Sequence, residues 1–150
     1  MKGRRRELLD FLDKEILYIR LNKLDKVLKA LEKLTRVSLK EFLKDEDLQA
    51  IVERRLQLSA QIAIDIANYL ISRKNLEVPE EEENLFVILS KSKILSLELA
   101  QQMKGLVRFR NILVHNYLDI DPEIVYENFK DHLAEFRKFA KEISEFIGKP

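Results

Sequence analysis

The chain contains no cysteine, three glycines, three prolines and two histidines. The absence of cysteine excludes a disulfide framework and any zinc site built on thiolates. Two distant histidines are too few for a histidine metal cluster, so we expect neither a bound metal nor a cofactor. Because residues that break helices are scarce, the abundant Leu, Lys and Glu predict long helices joined by few turns.

Long apolar runs and charge of one sign are also lacking. No apolar run is long enough to span a bilayer, and residues 1–11 lack the apolar core of a signal peptide. We therefore expect a cytoplasmic protein that does not associate with membranes. Charged residues make up 35% of the chain, yet its net charge is only +1. Any contact with nucleic acid must then depend on a local patch.

Apolar residues recur at steps of three and four along most of the chain, which predicts an all-α fold. We expect a long first helix over residues 5–35, a short helix over 39–44, and a long helix from the acidic residues 45–47 to about residue 72. The basic residues 4–6 are interpreted as a solvated terminus. The apolar stripe predicted for the first helix comprises Leu9, Leu12, Ile16, Ile19, Leu24, Val27, Leu28, Leu31 and Leu34.

The second half of the chain begins with a break. Pro79 and four consecutive glutamates at 80–83 predict a surface loop. Asn84 is then expected to cap a short helix, and Ser92 or Ser96 to begin the helix that leads into residues 110–117. The last helix should begin at residues 121–123, with an N-cap carboxylate and proline at the first position, and end at residue 148. These elements predict one all-α domain, residues 1–150.

Residues 110–117, with the sequence RNILVHNY, place polar and aromatic side chains among aliphatic ones. Polar groups at such positions need partners or perform chemistry. On an ideal helix, Arg110 projects near the edge of the apolar arc, two turns from Tyr117, and diverges from His115 by about 140°. One straight helix therefore does not focus Arg110 and His115 on one atom. A helix end near Asn116, or a second copy across a two-fold axis, would correct this divergence.

The side chains of this stretch suit metal-free cleavage of RNA, in which the ribose 2′-OH attacks the adjacent phosphate. His115 can transfer a proton near neutral pH. The Arg110 guanidinium suits phosphate and the charge that builds on it, and Asn111 can position an oxygen. Spacing alone, however, favours an interhelical hydrogen-bond network, because one Arg and one His five residues apart recur by chance.

Other polar residues have both a structural and a functional interpretation. Glu53, Arg54 and Asp65 lie near the predicted buried stripe of their helix. They are surface charges or an interhelical pair, or else they orient Arg110 or His115. The second histidine, at position 132, has no evident polar companion at helical spacing, and we expect it to be structural.

The motif resembles the signature of HEPN-domain proteins: Arg110 followed by Asn111, then His115, then Tyr117 two residues later. Within that superfamily the chain resembles the HepT toxins, whose partner is the minimal nucleotidyltransferase antitoxin MntA. The similarity extends to residues 53–57, 64–67, 85–86, 99–103 and 118–122. It covers the chain from about residue 45 to 147, whereas the first helix matches only in periodicity.

The resemblance implies a HEPN-like antiparallel up-and-down helical bundle that forms a homodimer with its motifs facing each other. It implies the toxin of a toxin–antitoxin pair, a metal-independent endoribonuclease with Arg110 and His115 as the catalytic pair and Asn111 assisting. It further implies inhibition by an MntA-like antitoxin that adds AMP to Tyr117. Asp65 and Arg54 are then candidates for supporting these residues. The near-neutral charge leaves the RNA-binding surface unexplained.

Two alternatives to a ribonuclease stay open. The chain can be a non-catalytic helical subunit that docks a nucleotidyltransferase or a nucleotide. It can also be a structural bundle whose polar motif specifies the dimer interface.

Overall fold

The computed structural model describes residues 8–115 and 120–148, which fold into α-helices and short turns. In chain order the six helices of this described part are α1 (Phe11–Glu32), α2 (Leu39–Lys44), α3 (Glu46–Arg73), α4 (Leu85–Lys91), α5 (Leu97–His115) and α6 (Pro122–Ile147). Short 3-10 turns, Lys33–Arg36 and Glu82–Asn84, follow α1 and precede α4. The described residues contain no strand. The all-α prediction is confirmed, whereas residues 4–6 lie outside the described part.

Local side chains determine where most helices begin. Asp10, Asp45 and Asp121 each accept a hydrogen bond from a backbone N–H in the first turn of α1, α3 and α6. Ser96 does the same for α5. Asn84 was expected to cap α4, and this prediction is wrong, because Asn84 has helical backbone angles and its side chain makes no capping hydrogen bond. A side-chain cap needs an extended residue at that position.

Contacts between distant residues fix the directions of the long helices. Asp13, near the start of α1, is paired with Arg73 at the end of α3. Ser96, just before α5, binds Glu142 near the end of α6. Tyr126, near the start of α6, donates a hydrogen bond to a backbone carbonyl just beyond α1. The pairs α1 with α3, α5 with α6 and α1 with α6 therefore run antiparallel, and the predicted up-and-down bundle is confirmed.

The buried side chains form one contiguous core, and it is predicted better for α3 than for α1. The stripe predicted for α3 comprises Leu48, Val52, Leu56, Ile62, Ile66 and Leu70. All of these residues are buried except Leu48, which is partly buried. In α1 the true stripe is Leu17, Leu21, Leu24, Leu28 and Leu31. Leu12 and Ile19, predicted as part of that stripe, are each 64% exposed. A helix with apolar residues on two sides can bury only the side that faces its neighbours, here α3 and α6. Among the described helices, none is long and apolar enough to span a membrane.

Candidate functional site

Arg110 is held against the core side of α5, where its side chain is only 14% exposed. Its Nη1 donates a hydrogen bond to Gln61 Oε1 of α3 at 3.3 Å, and its Nη2 is ion-paired with Glu82 Oε1. Gln61 in turn donates from Nε2 to Asp65 Oδ1 at 2.9 Å. The charge that was expected to need a partner thus has two, one from α3 and one from the turn before α4.

The third donor atom of this guanidinium lacks a partner. Arg110 Nε is buried and has no hydrogen-bond acceptor among the described residues. Arg110 lines a small cavity together with side chains that are mostly apolar: Leu56, Leu106, Phe109, Leu113, His132 and Phe136. A buried N–H without an acceptor costs free energy. Arg110 is therefore bound by the protein without being fully satisfied.

His115, the last described residue of α5, is exposed. The partners of Arg110 lie on the side of α5 that faces α3, and five residues of helix turn His115 away from that side by about 140°. The structure therefore does not bring Arg110 and His115 together within one chain. Asn111 is partly buried, and within the described part no hydrogen bond joins it to His115. Tyr117 and Asn116 lie outside the described residues, so the predicted placement of Tyr117 two helical turns from Arg110 stays a prediction.

Asp65 and Arg54, the candidates for supporting the motif residues, differ in whether they are linked to Arg110. Asp65 is linked to Arg110 through Gln61. Arg54 is exposed on α3 and is not among the partners of Arg110. Glu53 is partly buried, and this burial raises the pKa of its carboxyl above the ordinary value. Across residues 8–115 and 120–148, no cluster of three or more His, Asp or Glu side chains has the arrangement of a metal site.

His132 has a polar companion, contrary to the expectation that it had none. Its Nδ1 lies 3.0 Å from Glu135 Oε1, three residues later on α6. Side chains three apart share a helix face, so the spacing already pointed to this pair. The His132 ring also packs on Phe109 of α5, with ring centroids 4.7 Å apart. These contacts support the structural role that was predicted for it.

The acidic segment, defined as residues 80–83, was predicted as a polar loop, and its contacts with α5 were missed. Glu83 accepts hydrogen bonds from Arg108 Nε and Nη2 at 3.1 and 3.0 Å. Lys104 Nζ lies 3.8 Å from the same carboxylate. Hydrogen bonding to Arg108 lowers the pKa of Glu83. The sequence signal was the opposite charge of the two segments, but charge alone did not show which glutamate meets which cation.

An apolar groove lies between the end of α5 and the start of α6. Its volume is about 380 Å³, and it is lined by Phe109, Ile112, Leu113, Ile120, Asp121, Ile124 and Val125. Ile112 and Ile124 are 50% and 51% exposed. Exposed apolar residues gathered around a groove are typical of interaction surfaces. The groove begins one helical turn before His115.

Comparison with known proteins identifies a family and relatives that all carry the name HepT. The family described as ribonuclease HepT-like matches residues 24–143. The tRNA nuclease HepT of Aphanizomenon flos-aquae is 33% identical over 132 residues, covering 88% of this chain and 90% of the relative. The mRNA nuclease HepT of Shewanella oneidensis is 31% identical over 99 residues, covering 66% of this chain and 74% of the relative.

Solved structures agree with the fold. The tri-AMPylated HEPN toxin of Shewanella oneidensis, in complex with MNT antitoxin, has a TM-score of 0.79 at 26% identity, covering 87% of this chain and 97% of that one. The Bacillus subtilis cytosolic protein YutE, at 21% identity and a TM-score of 0.76, covers 90% of both chains and supports the fold alone. The family match spans most of the chain, and so this protein belongs to the HepT-like ribonuclease family.

Proposed function

We propose that this protein is the toxin of a toxin–antitoxin pair and acts as a metal-independent endoribonuclease. Arg110 binds the scissile phosphate and stabilises the charge that builds on it. His115 transfers protons, and Asn111 positions a phosphate or ribose oxygen. The observation that carries the proposal is the presence of Arg110, Asn111 and His115, in the spacing of the HEPN signature, within a chain of a ribonuclease family.

The reaction needs no group beyond these side chains and the RNA. The ribose 2′-oxygen forms a bond to phosphorus while the bond from phosphorus to the 5′-oxygen breaks, leaving a 2′,3′-cyclic phosphate and a 5′-hydroxyl. One proton leaves the 2′-OH and one arrives at the 5′-oxygen. The imidazole of one His115 can accept the first proton and donate the second.

A homodimer is supported by two features of the described residues. Arg110 faces α3 and Glu82, whereas His115 is exposed on another side of α5. Beside this region, Ile112 and Ile124 are half exposed around the apolar groove. A two-fold axis at this surface buries the groove and lets Arg110 of one copy share a phosphate with His115 of the other. Isologous dimers of this kind are the commonest oligomers.

The proposed regulation of cleavage acts at Tyr117, the last residue of the motif. A partner nucleotidyltransferase adds AMP to Tyr117, as the AMPylated state of the similar Shewanella oneidensis toxin suggests. The adduct carries a phosphodiester charge that can pair with Arg110. Its bulk excludes an RNA phosphate from the same place. Inhibition would then need no change of fold.

Cleavage of tRNA and mRNA probes in excess chelator tests the catalytic proposal. His115→Ala should reduce the rate by about 10²- to 10⁴-fold, the usual contribution of a positioned acid or base, without lowering the melting temperature. His132→Gln is the matched control, because it removes the other histidine, and it should retain cleavage. Activity that chelator abolishes and magnesium restores would contradict metal independence. A protein that cleaves neither probe but binds a nucleotidyltransferase would be a non-catalytic subunit.

Mixing two inactive variants tests where the site forms. If Arg110 and His115 act across the interface, a heterodimer of Arg110→Lys and His115→Ala chains contains one complete site. With free subunit exchange, the mixture should recover about a quarter of the wild-type activity per chain, since half the dimers are mixed and each has one of two sites. No recovery in mixed dimers, verified by mass spectrometry, would place both residues in one subunit.

A further inference from the structure

One face of α5 carries a row of polar and basic side chains that leads to His115. Lys104, Arg108, Asn111 and His115 are separated by four, three and four residues, which places them within an arc of about 60°. The row rises about 16 Å along the helix. We call these four residues the α5 stripe. Gly105 lies beside it, and a methyl group at this position would meet no atom within 4 Å.

The acidic segment covers part of this stripe. Glu83 binds Arg108 through both carboxylate oxygens and approaches Lys104, while the adjacent Glu82 binds Arg110. A guanidinium binds carboxylate and phosphate with the same planar, bidentate geometry. The two glutamates thus occupy the positions in which RNA phosphates would bind these cations.

We propose that the α5 stripe, together with Arg110, is the surface along which the RNA phosphates at the cleavage site and beside it bind. Glu82 and Glu83 are internal competitors that occupy it when no RNA is bound. This inference rests on the proposed function and names the binding surface for its substrate. It also accounts for a nuclease with a net charge of only +1, because the cations that bind RNA are local and paired within the chain.

The pairs are of a kind that RNA can displace. The Arg108 side chain is 61% exposed in its ion pair with Glu83, and exposed ion pairs are weak and screened by salt. Arg110 is more buried, but its Nε lacks an acceptor among the described residues. Replacement of the Glu82 carboxylate by a phosphate therefore acts on a network in which one donor already lacks an acceptor. A strand that contacts several cations also gains from counterion release.

Binding of single-stranded RNA, measured by fluorescence anisotropy in a His115→Ala background, tests the proposal without needing cleavage. Glu83→Gln and Glu82→Gln should each tighten the Kd by about two- to fivefold, the range expected for removal of a partly exposed competing charge. Glu80→Gln is the matched control. It removes the same charge from the same segment, but Glu80 is exposed and forms no ion pair with the described part of α5. Its Kd should change less than that of either variant.

Arg108→Gln tests the stripe itself. It should weaken binding and reduce the slope of log K against log salt by about 0.7, the value for one phosphate contact on a single strand. In the Arg108→Gln background, Glu83→Gln should tighten binding less than it does in the presence of Arg108, because only Lys104 is then left for it to release. Circular dichroism melts should show that the variants stay folded.

The outcomes separate this inference from the proposed function. If Glu83→Gln and Glu82→Gln bind RNA no more tightly than Glu80→Gln, the competitor role is overturned. If Arg108→Gln leaves the Kd and the salt slope unchanged, the stripe is not the RNA surface. Either result can occur while wild-type protein still cleaves RNA. Conversely, the expected binding changes without any cleavage would support the stripe and contradict the nuclease.

Discussion

Asp13 in α1 is 3% exposed and binds α3, whereas Arg110 in α5 is 14% exposed in its side chain and also binds α3. The Asp13 carboxylate accepts hydrogen bonds from Tyr69 Oη at 2.7 Å, Arg73 Nε at 2.8 Å and the Asp10 N–H at 3.1 Å. Burial alone would raise the pKa of Asp13, but these donors outweigh it and lower the pKa. Every oxygen of this carboxylate has a donor.

The Arg110 cluster differs in both respects. One of its buried donors has no acceptor among the described residues, and its anionic partner is an exposed glutamate from a short turn. A fully satisfied buried network rigidifies a fold, whereas a partly satisfied one costs free energy unless it has another use. The difference separates a cluster that holds α1 to α3 from one that, in our proposal, exchanges a carboxylate for an RNA phosphate.

Of these substitutions, Arg110→Lys should have the largest effect, and that effect should be on cleavage and not on stability. Lysine keeps the positive charge but loses the planar fork that binds a phosphate through two N–H groups. We expect a loss of cleavage of about 10²- to 10³-fold, the usual cost of removing one donor to transition-state charge. The melting temperature should change little, because the arginine is incompletely satisfied in the folded chain. Steady-state cleavage and calorimetry measure the two effects.

Arg137→Lys is the matched control for that substitution. Arg137 of α6 binds Glu32 through Nε and Nη2 and binds Asp25 through Nη1, so it joins α6 to α1. Replacement of the planar Arg137 guanidinium by an ammonium group should lower the melting temperature and leave cleavage intact. Equal losses of cleavage in both arginine variants would mean that Arg110 is structural.

Tyr117→Phe tests whether AMP addition at this residue silences cleavage. It removes only the acceptor oxygen, so the variant should fold and cleave RNA like the wild type. A partner nucleotidyltransferase with ATP should silence the wild type and fail to silence the variant, because no AMP can be attached at residue 117. Intact mass spectrometry and cleavage assays check this. An AMP adduct on another residue, with continued silencing, would contradict the proposal.

Asp13→Asn should affect stability and spare activity. The amide places a donor where Oδ2 accepts the Asp10 N–H, so we expect a loss of about 1–3 kcal/mol, the cost of a buried unsatisfied group. The folded-state pKa of Asp13 is lowered from 3.8, so its stabilisation is present above that value and is lost as pH falls through the folded pKa. The difference between variant and wild type in urea unfolding should therefore shrink below about pH 4. A constant difference down to acid pH would show that the charge is not responsible.

The sequence predicted the helices better than it predicted the partners of the polar groups. Capping residues and apolar spacing are local, so the positions of α2, α3 and α6 could be derived from them. The motif and its divergent geometry were also visible in residues 110–115. The contacts of Glu82 and Glu83 with α5 were not visible, because they depend on how a loop folds back across the bundle. The same holds for Asp13, whose partners Tyr69 and Arg73 are distant in the chain.

Glu53 provides the test with the smallest expected effect, because it differs from Asp13 in the direction of its pKa shift. Like Asp13 it is a carboxyl removed from water, but it has no hydrogen bond or ion pair with the described side chains, and burial raises its pKa from 4.5. With a raised folded-state pKa, its contribution is most favourable below about pH 4.5 and is lost as pH rises through the folded pKa.

Glu53→Gln should therefore raise the melting temperature at pH 7, by about 2 °C, and the gain should vanish near pH 4. Glu127→Gln, at an exposed position of α6, is the matched control and should show neither the gain nor its pH dependence. The two carboxyls would then respond to pH in opposite directions, since Asp13 gained donors on burial and Glu53 did not. A lower melting temperature for Glu53→Gln at pH 7 would mean that the ionised carboxylate has a favourable partner, and the contrast with Asp13 would fail.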